Sequence, residues 1–309
     1  MVKKKTALIY GSLGQDGYLM SKILLHKKYK VVSIYHKKNV NKKIKNSIYL
    51  KKNLQQKYQI TNLIKKYKPE EVYNFTGPSS KTVYNNYPVK SFDEEISKII
   101  DTLEAIKLFS KETKYFHCSS SEVFGTKKRK VNEMSQRHPE NLYAVTKCNA
   151  EIIIDYYKNI ELLNCGYGIL FNHDSKYRKK DFLYKKIMDF FDKKNINKKL
   201  LINNIGDIKF RSKAEKIIQV IWKIMQKKTM NNYILSGDKS YSVKDMINNI
   251  ALQNKIKLKW KQKKDKYIAT RNGKIIVESI KNNNDYLIIP NLGKLKKNVH
   301  QNLKELRLF

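Results

Sequence analysis

The chain has 309 residues, of which 65 are lysine or arginine and 27 are aspartate or glutamate, so its formal net charge is +38. With 41% hydrophobic residues, 5 prolines and 11 glycines, the composition excludes a largely disordered chain and allows a sizeable core. No apolar run is long enough for a membrane helix, and the start, MVKKK, leads straight into a strand, so no signal peptide is expected. The three cysteines at 118, 148 and 165 lack metal spacing, so we expect a cytoplasmic protein with free thiols and no metal.

The excess positive charge is almost entirely lysine, and it is dispersed along the chain. Arginine, the better ligand for bases and phosphates, is scarce. Lysine, asparagine and isoleucine are abundant together, as an AT-rich coding sequence would produce. We therefore expect no specific nucleic-acid partner and no membrane partner. The charge would still attract anionic ligands, in a way that salt suppresses.

The first predicted element is a short buried strand at residues 5–10, which a glycine turn connects to an apolar helix. Gly11, Gly14 and Gly17 have the spacing G-x-x-G-x-x-G. Glycines at such a turn allow the backbone to approach a pyrophosphate, which then lies at the helix N-terminus. The alternative is an ordinary strand-to-helix loop, but the position directly after the first strand favours a dinucleotide site.

The second strand, at residues 29–35, ends in His36-Lys37-Lys38. An NAD-binding fold usually has an acidic residue near this point, which holds the ribose 2′-hydroxyl. Positive charge at the same place favours a 2′-phosphate instead. The sequence therefore predicts NADP as the cofactor, with His36 and Lys37 beside its phosphate.

Strand and helix patterns alternate to about residue 170, which predicts an α/β fold: a Rossmann-type doubly wound parallel sheet with a smaller C-terminal substrate lobe. We expect an NADP-binding domain over residues 1–170, with later contributions from about 204–240, and a substrate-binding lobe over 171–203 and 241–309. Further strands are predicted near 47–50, 71–75, 114–118 and 165–170, and helices over 84–110, 141–159 and 242–253.

A candidate catalytic group follows the strand at 114–118. Tyr143 and Lys147 are four residues apart, so a helix places them on one face. The lysine ammonium would lower the tyrosine pKa towards working pH and make a base for a sugar hydroxyl. Ser120 can hydrogen-bond the same hydroxyl, and Glu122 adds a second proton-transfer group. The alternative for the tyrosine and lysine is a solvated helix face.

Five segments carry a resemblance to a known family. In chain order they are GSLGQDG at 11–17, PEEVYN at 69–74, SSSEVFG at 119–125, YAVTK at 143–147 and GILFNHDS at 168–175. The chain resembles the GDP-mannose 4,6-dehydratases, which are extended short-chain dehydrogenase/reductases acting on nucleotide sugars. The resemblance covers roughly residues 4–190 well and the remainder loosely.

The resemblance implies a nucleotide-sugar 4,6-dehydratase that converts GDP-mannose, or a related GDP-hexose, to its 4-keto-6-deoxy form by internal hydride transfer through bound NADP. Tyr143, helped by Lys147, would take the proton of the sugar 4-hydroxyl. Glu122 would remove the C5 proton and assist the loss of water from C6. Ser120 stands where the family has threonine, and it keeps the hydroxyl.

The resemblance also implies the binding residues, although His173 has a structural hydrogen bond as its alternative role. The cofactor-binding set is Gly11, Leu13, Gly14, Gln15, Asp16, Gly17, His36, Lys37, Asn53, Leu54, Phe75, Thr76, Gly77, Ser119, Tyr143, Lys147 and His173. The substrate-binding set is Ser79, Ser121, Asn172, Lys186, Lys209 and Arg211.

The chain departs from the family pattern at several of these positions. Thr76 and Gly77 replace two small residues near the cofactor, and Asn53 replaces an aspartate. Lys209 and Arg211 occupy a segment in which the family has a different arginine arrangement, so the geometry toward a diphosphate would differ. These departures bear on which sugar is bound more than on the type of reaction.

The expected assembly is a homodimer. The family carries a long loop after strand two that reaches a neighbouring subunit, whereas here only residues 36–46 separate strands two and three, so we expect a tetramer that relies on this loop to be lost. The two long helices would form the dimer contact. The first of these helices has an apolar stripe, which would either form the dimer contact or only cover the sheet. The stripe consists of Ile96, Ile99, Ile100, Leu103 and Ile106.

Two other functions remain open from the sequence. One is an NADP-dependent reductase or epimerase of a 4-keto nucleotide sugar, which would share Tyr143 and Lys147 but would not need Glu122 to drive the loss of water. The other is a non-catalytic nucleotide-sugar-binding homologue.

Overall fold

A computed structural model describes most of the chain. The described residues are 4–36, 43–56, 58–77, 81–192, 199–263, 266–281, 287–300 and 302–309. Within them, no helix combines the length and the apolar character that crossing a membrane requires.

The centre of the molecule is a seven-stranded sheet in which every neighbouring pair of strands is parallel. Its strand order is β11-β7-β5-β4-β1-β2-β3. The strands are β1 (Thr6–Tyr10), β2 (Lys30–Tyr35), β3 (Ile48–Lys51), β4 (Glu71–Asn74), β5 (Lys114–Ser120), β7 (Cys165–Leu170) and β11 (Tyr233–Leu235). This confirms the predicted Rossmann-type fold class.

Helices cover both faces of this sheet, which is why its inner strands are continuous apolar runs and do not alternate. All five residues of β1 are buried. The helices are α1 (Gln15–His26), α2 (Gln59–Tyr67), α3 (Lys81–Asn86), α4 (Pro88–Phe109), α5 (Leu142–Asn159), α6 (Leu183–Asp192), α7 (Ala214–Met225), α8 (Val243–Gln253) and α9 (Gly293–Val299). Side chains of α4 and α5 pack in one core and those of α1 and α7 in another, on residues of the same sheet.

The predicted helix over 84–110 is wrong in its extent, because the structure divides it into α3 and α4. Pro88 occupies the first turn of α4, where its missing N–H costs no hydrogen bond. Of the apolar stripe, Ile99, Leu103 and Ile106 are buried in the core, whereas Ile100 is 37% exposed. Most of the stripe therefore covers the sheet.

Smaller sheets follow the central one. They have the strand orders β12-β10-β8, β13-β14-β15-β9 and β16-β6. A third core joins α6 and α8 to the four-stranded sheet. The strands are β6 (Arg129–Val131), β8 (Asn172–Asp174), β9 (Leu200–Asn204), β10 (Ile208–Lys213), β12 (Ser240–Ser242), β13 (Lys259–Lys263), β14 (Lys266–Arg271), β15 (Lys274–Lys281) and β16 (Ile288–Pro290).

The order of the central sheet places a topological switch between β1 and β4. From this point β2 and β3 follow β1 on one side, and β5, β7 and β11 follow β4 on the other. The carboxyl ends of β1 and β4 therefore open into a crevice. Gly11 follows β1 and Phe75 follows β4. The glycine turn is thereby placed at the mouth of the crevice.

Candidate active site

The carboxyl end of β5 presents two of the predicted catalytic side chains. Ser120 ends the strand and caps a one-turn 3₁₀ helix at 121–124, accepting a hydrogen bond from the backbone N–H of Glu122 at 3.3 Å. This turn directs the chain back over the sheet edge. Ser120 and Glu122 consequently reach the same cavity.

The N-terminal turns of α5 supply the other two predicted catalytic side chains, Tyr143 and Lys147. Asn141 caps the helix by accepting from the N–H of Ala144 at 3.0 Å. Tyr143 and Lys147 follow one helical turn apart and line a cavity of about 200 Å³ together with Ser120 and Glu122. The structure therefore brings the four predicted catalytic residues together.

Lys147 is held by two oxygen acceptors on neighbouring elements. Its ammonium donates to the buried carboxylate of Glu95, on α4, and to the backbone oxygen of Cys118 at 2.9 Å. Burial lowers the pKa of Lys147, but the Glu95 carboxylate outweighs it and leaves the pKa raised. The lysine is therefore a firmly charged group.

Glu95 also has two further neighbours beneath the cavity. It accepts a hydrogen bond from the Tyr84 hydroxyl, and the Nε2 atom of His117 lies 3.3 Å from its carboxylate. Although burial raises the pKa of Glu95, the charge of Lys147 holds it well below the usual range. The ring of Tyr84 packs edge-on against that of Tyr143, with 5.3 Å between centroids.

The expectation that Lys147 brings the Tyr143 pKa down towards working pH is wrong for this structure. Burial raises the pKa of Tyr143, and it outweighs the lowering by the Lys147 charge and the Ser120 hydroxyl. The carboxylates of Glu95 and Glu122 add to the rise. The lysine acts in the predicted direction, but burial of the phenol has the larger effect on the Tyr143 pKa.

Glu122 has a cationic partner that the sequence analysis did not identify. The Lys81 ammonium, on α3, lies 2.7 Å from its carboxylate, and both side chains are partly exposed. Glu122 lines the catalytic cavity together with Tyr143 and Asn172, whereas Lys81 does not line it.

A second cavity, of about 380 Å³, extends from the catalytic one along the glycine turn and shares Phe75, Thr76 and Gly77 with it. A side chain at Gly11 would lie 2.7 Å from the Phe75 oxygen, and Gly11 has φ of +76°. A side chain at Gly17 would lie 2.5 Å from the Gly11 oxygen. Close backbone packing therefore requires glycine at both positions.

This crevice fits a dinucleotide. The N-cap of α1 is Gly14, and none of the described side chains caps it, so N–H groups of the first turn remain available to a pyrophosphate. Near the other end lie His36 and Lys52, and the Lys52 ammonium adds positive charge beside Asn53.

Each described residue of the predicted cofactor set lines one of three adjoining cavities, and Lys37 lies outside the described residues. The first cavity is lined by Gly11, Leu13, Gly14, His36, Asn53, Leu54, Phe75, Thr76 and Gly77. A small neighbouring cavity adds Gln15, Asp16 and Gly17. The catalytic cavity adds Ser119, Tyr143, Lys147 and His173.

His173 has a structural partner on each ring nitrogen. Nδ1 lies 2.9 Å from the Phe171 oxygen and Nε2 lies 3.0 Å from the Asp16 carboxylate. Both partners are acceptors, so the ring donates twice and is an imidazolium. Burial lowers the pKa of His173, but the Asp16 charge outweighs it and raises the pKa. Burial raises the pKa of Asp16, yet the His173 charge brings it down to about 2.

A glutamine strengthens the same junction. The Gln15 amide donates to Asp16 at 2.9 Å and to the His173 backbone oxygen at 3.2 Å, and it accepts from the Ser175 hydroxyl at 3.0 Å. Two of the segments that carry the family resemblance, 11–17 and 168–175, therefore contact each other. They fix the glycine turn to the segment around β8.

The predicted substrate residues divide into three groups. Ser121 and Asn172 line both the catalytic cavity and an adjoining one of about 120 Å³, which Lys209 also lines. Lys186 is exposed on α6 and does not line these cavities. Ser79 lies outside the described residues.

Arg211 differs from the expectation that it meets a diphosphate. It is 6% exposed, and its guanidinium lies 3.7 Å from the Asp174 carboxylate. The partner of β10 changes along the strand from β12 to β8 at this residue, which directs Arg211 into the protein. Lys209, two residues earlier, remains at the cavity.

Sequence reasoning missed Arg178, which lines the catalytic cavity and the small cavity at the glycine turn. Its guanidinium stacks on Phe182 at 3.9 Å and lies 3.5 Å from Asp174. Lys179 lines the small cavity and the first one. A cluster of basic residues directly after segment 168–175 was the available signal, but it was hidden among the many lysines.

The sheet order, the glycine turn and the tyrosine–lysine pair together define an extended short-chain dehydrogenase/reductase. Comparison with solved structures agrees on the fold. UDP-glucose 4-epimerase of Thermotoga maritima superposes with a TM-score of 0.82 at 13% identity, covering 97% of this chain and 94% of that one. The dTDP-glucose 4,6-dehydratase of Bacillus anthracis, solved in complex with NAD, gives 0.79 at 18% identity, covering 97% and 92%.

The family model for GDP-mannose 4,6 dehydratase matches residues 8–299, and the chain belongs to that family. GDP-mannose 4,6 dehydratase 1 of Arabidopsis thaliana is 27% identical over 265 residues, covering 79% of this chain and 73% of the relative. GDP-mannose 4,6 dehydratase of Dictyostelium discoideum is 27% identical over 303 residues, covering 89% and 84%. The family predicted from the motifs, and with it the nucleotide-sugar 4,6-dehydratase class, is confirmed.

Proposed function

We propose that the protein converts a GDP-hexose, with GDP-mannose as the first candidate, to its 4-keto-6-deoxy form, using NADP as a retained cofactor. The observation that carries this proposal is the single cavity lined by Ser120, Glu122, Tyr143 and Lys147, which opens onto the glycine-turn crevice. Family membership supplies the substrate class.

The crevice residues would hold the cofactor. N–H groups at the start of α1 would bind the pyrophosphate, and His36 and Lys52 would favour a 2′-phosphate. NADP, when bound, accepts hydride from C4 of the sugar and returns it to C6. No described lining residue beside His36 carries a carboxylate, and this favours NADP over NAD. The acidic residue of the described lining, Glu94, lies on α4.

Tyr143 would take the proton of the sugar 4-hydroxyl on its phenolic oxygen, while Ser120 orients that hydroxyl. The phenolic oxygen can accept this proton only as the phenolate, which the Lys147 ammonium would stabilise with the one donor not used by Glu95 and Cys118. Once C4 is a ketone, the C5 hydrogen is acidic, and the Glu122 carboxylate would remove it. The same group, now protonated, would give its proton to the departing 6-hydroxyl. As the hydride returns to C6, C5 takes up a proton again and Tyr143 gives up the one it took from the 4-hydroxyl, so no proton is gained or lost overall.

Glu122→Gln tests this assignment. It should lower dehydratase turnover by at least about 10²-fold, because it removes the base and the acid of the elimination. Incubation with GDP-mannose and catalytic NADP⁺ in deuterated water should then show no deuterium at C5, while the affinity for NADP stays within twofold. The matched control is Glu140→Gln, since Glu140 bonds Thr126 outside the catalytic cavity.

The outcomes separate the candidate functions. Wild-type protein should build 4-keto product without accumulating NADPH. A protein that acts only on a supplied keto sugar with stoichiometric NADPH would be a reductase. Full turnover in Glu122→Gln would refute the role of this carboxylate.

We also propose a homodimer formed by α4 and α5. Large apolar side chains remain on the outer surface of both helices and just beyond α5. They are Ile100, Leu108, Ile152, Tyr156 and Ile160, with exposures of 37, 66, 68, 49 and 67%. Several exposed apolar side chains on two neighbouring helices are typical of a protein interface.

A cytoplasmic location is part of the same proposal. Cys118, Cys148 and Cys165 are free thiols. A reducing compartment keeps such thiols free.

A further inference from the structure

Lys98 is a buried lysine that faces the dinucleotide crevice. It lies on α4 and is 8% exposed, yet it lines the first cavity together with Gly11 and Asn53. Among the described residues, its ammonium has neither a hydrogen bond nor an ion pair. The neighbouring Glu95 carboxylate is already bound to Lys147.

An unpaired ammonium in such a place is unfavourable, because burial removes water without supplying acceptors. Burial accordingly lowers the pKa of Lys98, although the charges of Glu94 and Glu95 oppose the shift. A lysine that only filled space would be replaced by an apolar residue at no cost. Its presence at a cavity wall, without a protein acceptor among the described residues, points to an anion that arrives with the ligand.

The lining of the first cavity is positively charged, as Lys98 is. Lys52 and Lys179 line this cavity beside Lys98, and Glu94 is the acidic residue among its described lining. Its volume of about 380 Å³ is that of a small-molecule site. The glycine turn forms one wall, and the residues after β2 and β3 form the other.

We propose that Lys98 is a phosphate ligand for the dinucleotide, pairing with its pyrophosphate or its 2′-phosphate. This inference rests on the proposed function, because the ligand is the cofactor assigned there. Lysine binds phosphate as a point charge and is not restricted to one phosphate geometry. Both phosphate groups are therefore candidates, and the experiment separates them.

Lys98→Met is the informative variant, since it keeps the length of the stem and removes the charge. Calorimetry should show NADPH binding weakened by about 10- to 100-fold, the loss expected for one charged hydrogen bond. The melting temperature of the ligand-free protein should stay equal or rise, because an unpaired buried charge is gone. The control is Lys90→Met on the same helix, whose side chain is 74% exposed and which should change neither quantity.

Repeating the titration with NADH separates the two phosphates. Equal weakening of NADPH and NADH assigns the pyrophosphate, and weakening of NADPH alone assigns the 2′-phosphate. Lys98→Gln should give the same pattern if the methionine variant does not fold. Affinities within twofold of wild type for both dinucleotides would overturn the inference alone, whereas a wild-type protein that binds neither would overturn the proposed function with it.

Discussion

Replacing Glu95 by glutamine tests whether the site depends on a buried charge behind the catalytic lysine. The change removes the negative partner of Lys147 and leaves the ammonium with neutral acceptors, the Cys118 oxygen at 2.9 Å and the new amide oxygen. It also weakens the bond from Tyr84, whose ring packs on Tyr143. Both consequences converge on the catalytic phenol.

The magnitude follows from the burial of both groups. The side chains of Lys147 and Glu95 are 6% and 1% exposed, and breaking a buried pair by removing one partner costs about 3–5 kcal/mol. With an unfolding entropy of about 2.1 cal/mol/K per residue, the melting temperature should fall by roughly 5–8 °C. A misplaced ammonium should lower kcat by about 10²-fold.

The assay compares Glu95→Gln with Glu71→Gln by thermal unfolding and turnover. Glu71 is also buried and accepts from two tyrosine hydroxyls, at 2.9 and 2.6 Å, but it lies at the opposite end of β4 and has no cationic partner among the described residues. Its substitution should cost less than about 2 kcal/mol and leave kcat unchanged. Equal losses of stability and of turnover in the two variants would refute the reasoning.

The sign of the pH dependence adds a second check. The folded pKa of Glu95 is depressed, so its contribution is present above the unfolded value of about 4.3 and lost as pH falls below it. The folded pKa of Lys147 is raised, so its contribution is present below about 10.4 and lost as pH rises beyond it. The difference in melting temperature between wild type and Glu95→Gln should therefore be constant from about pH 7 to 9, above the range in which the adjacent His117, whose pKa is lowered by burial, titrates.

Two further predictions concern the glycine turn and the assembly. Asp16→Asn removes the charge that keeps His173 protonated. Because the Asp16 pKa is depressed and the His173 pKa is raised, the loss of stability should be largest between about pH 4 and 6.5 and should shrink above that range. A loss that is independent of pH in thermal unfolding would contradict this. Ile152→Glu should convert the proposed homodimer to a monomer in light scattering, since it places a charge in an apolar interface. The control Leu252→Glu, on a leucine of α8 that is 57% exposed against 68% for Ile152, should not, and a dimer that survives Ile152→Glu would exclude this face.

The sequence sufficed to predict what depends on local spacing and on sheet geometry. Continuous apolar runs indicated the parallel strands, and the carboxyl ends of such strands meet at one edge, so Ser120 and Glu122 were expected near the glycine turn. Tyr143 and Lys147 needed only the helical repeat. Even the break before α4 had its signal in Pro88, whose preference for a first helical turn was overlooked.

What could not be predicted depends on which charges are buried. Glu95 and Lys98 occupy the core-facing side of α4, one turn before the buried Ile99 and Thr102. Charged residues within an apolar stripe were the available hint. In a chain with dispersed lysines, however, only three-dimensional packing distinguishes a desolvated ammonium from a solvated one. The raised Tyr143 pKa, which burial causes first and the Glu95 charge increases, depends on that same packing.

The contact between Gln15 and Asp16 on one side and His173 and Ser175 on the other has a consequence for inheritance and engineering. Because each side supplies the hydrogen-bonding groups that the other requires, the two segments form one exchangeable unit although they lie far apart in the chain. A graft of either segment alone from a distant homologue would leave a buried imidazolium or carboxylate without its counterpart. Recombination between such genes should succeed only where both segments travel together.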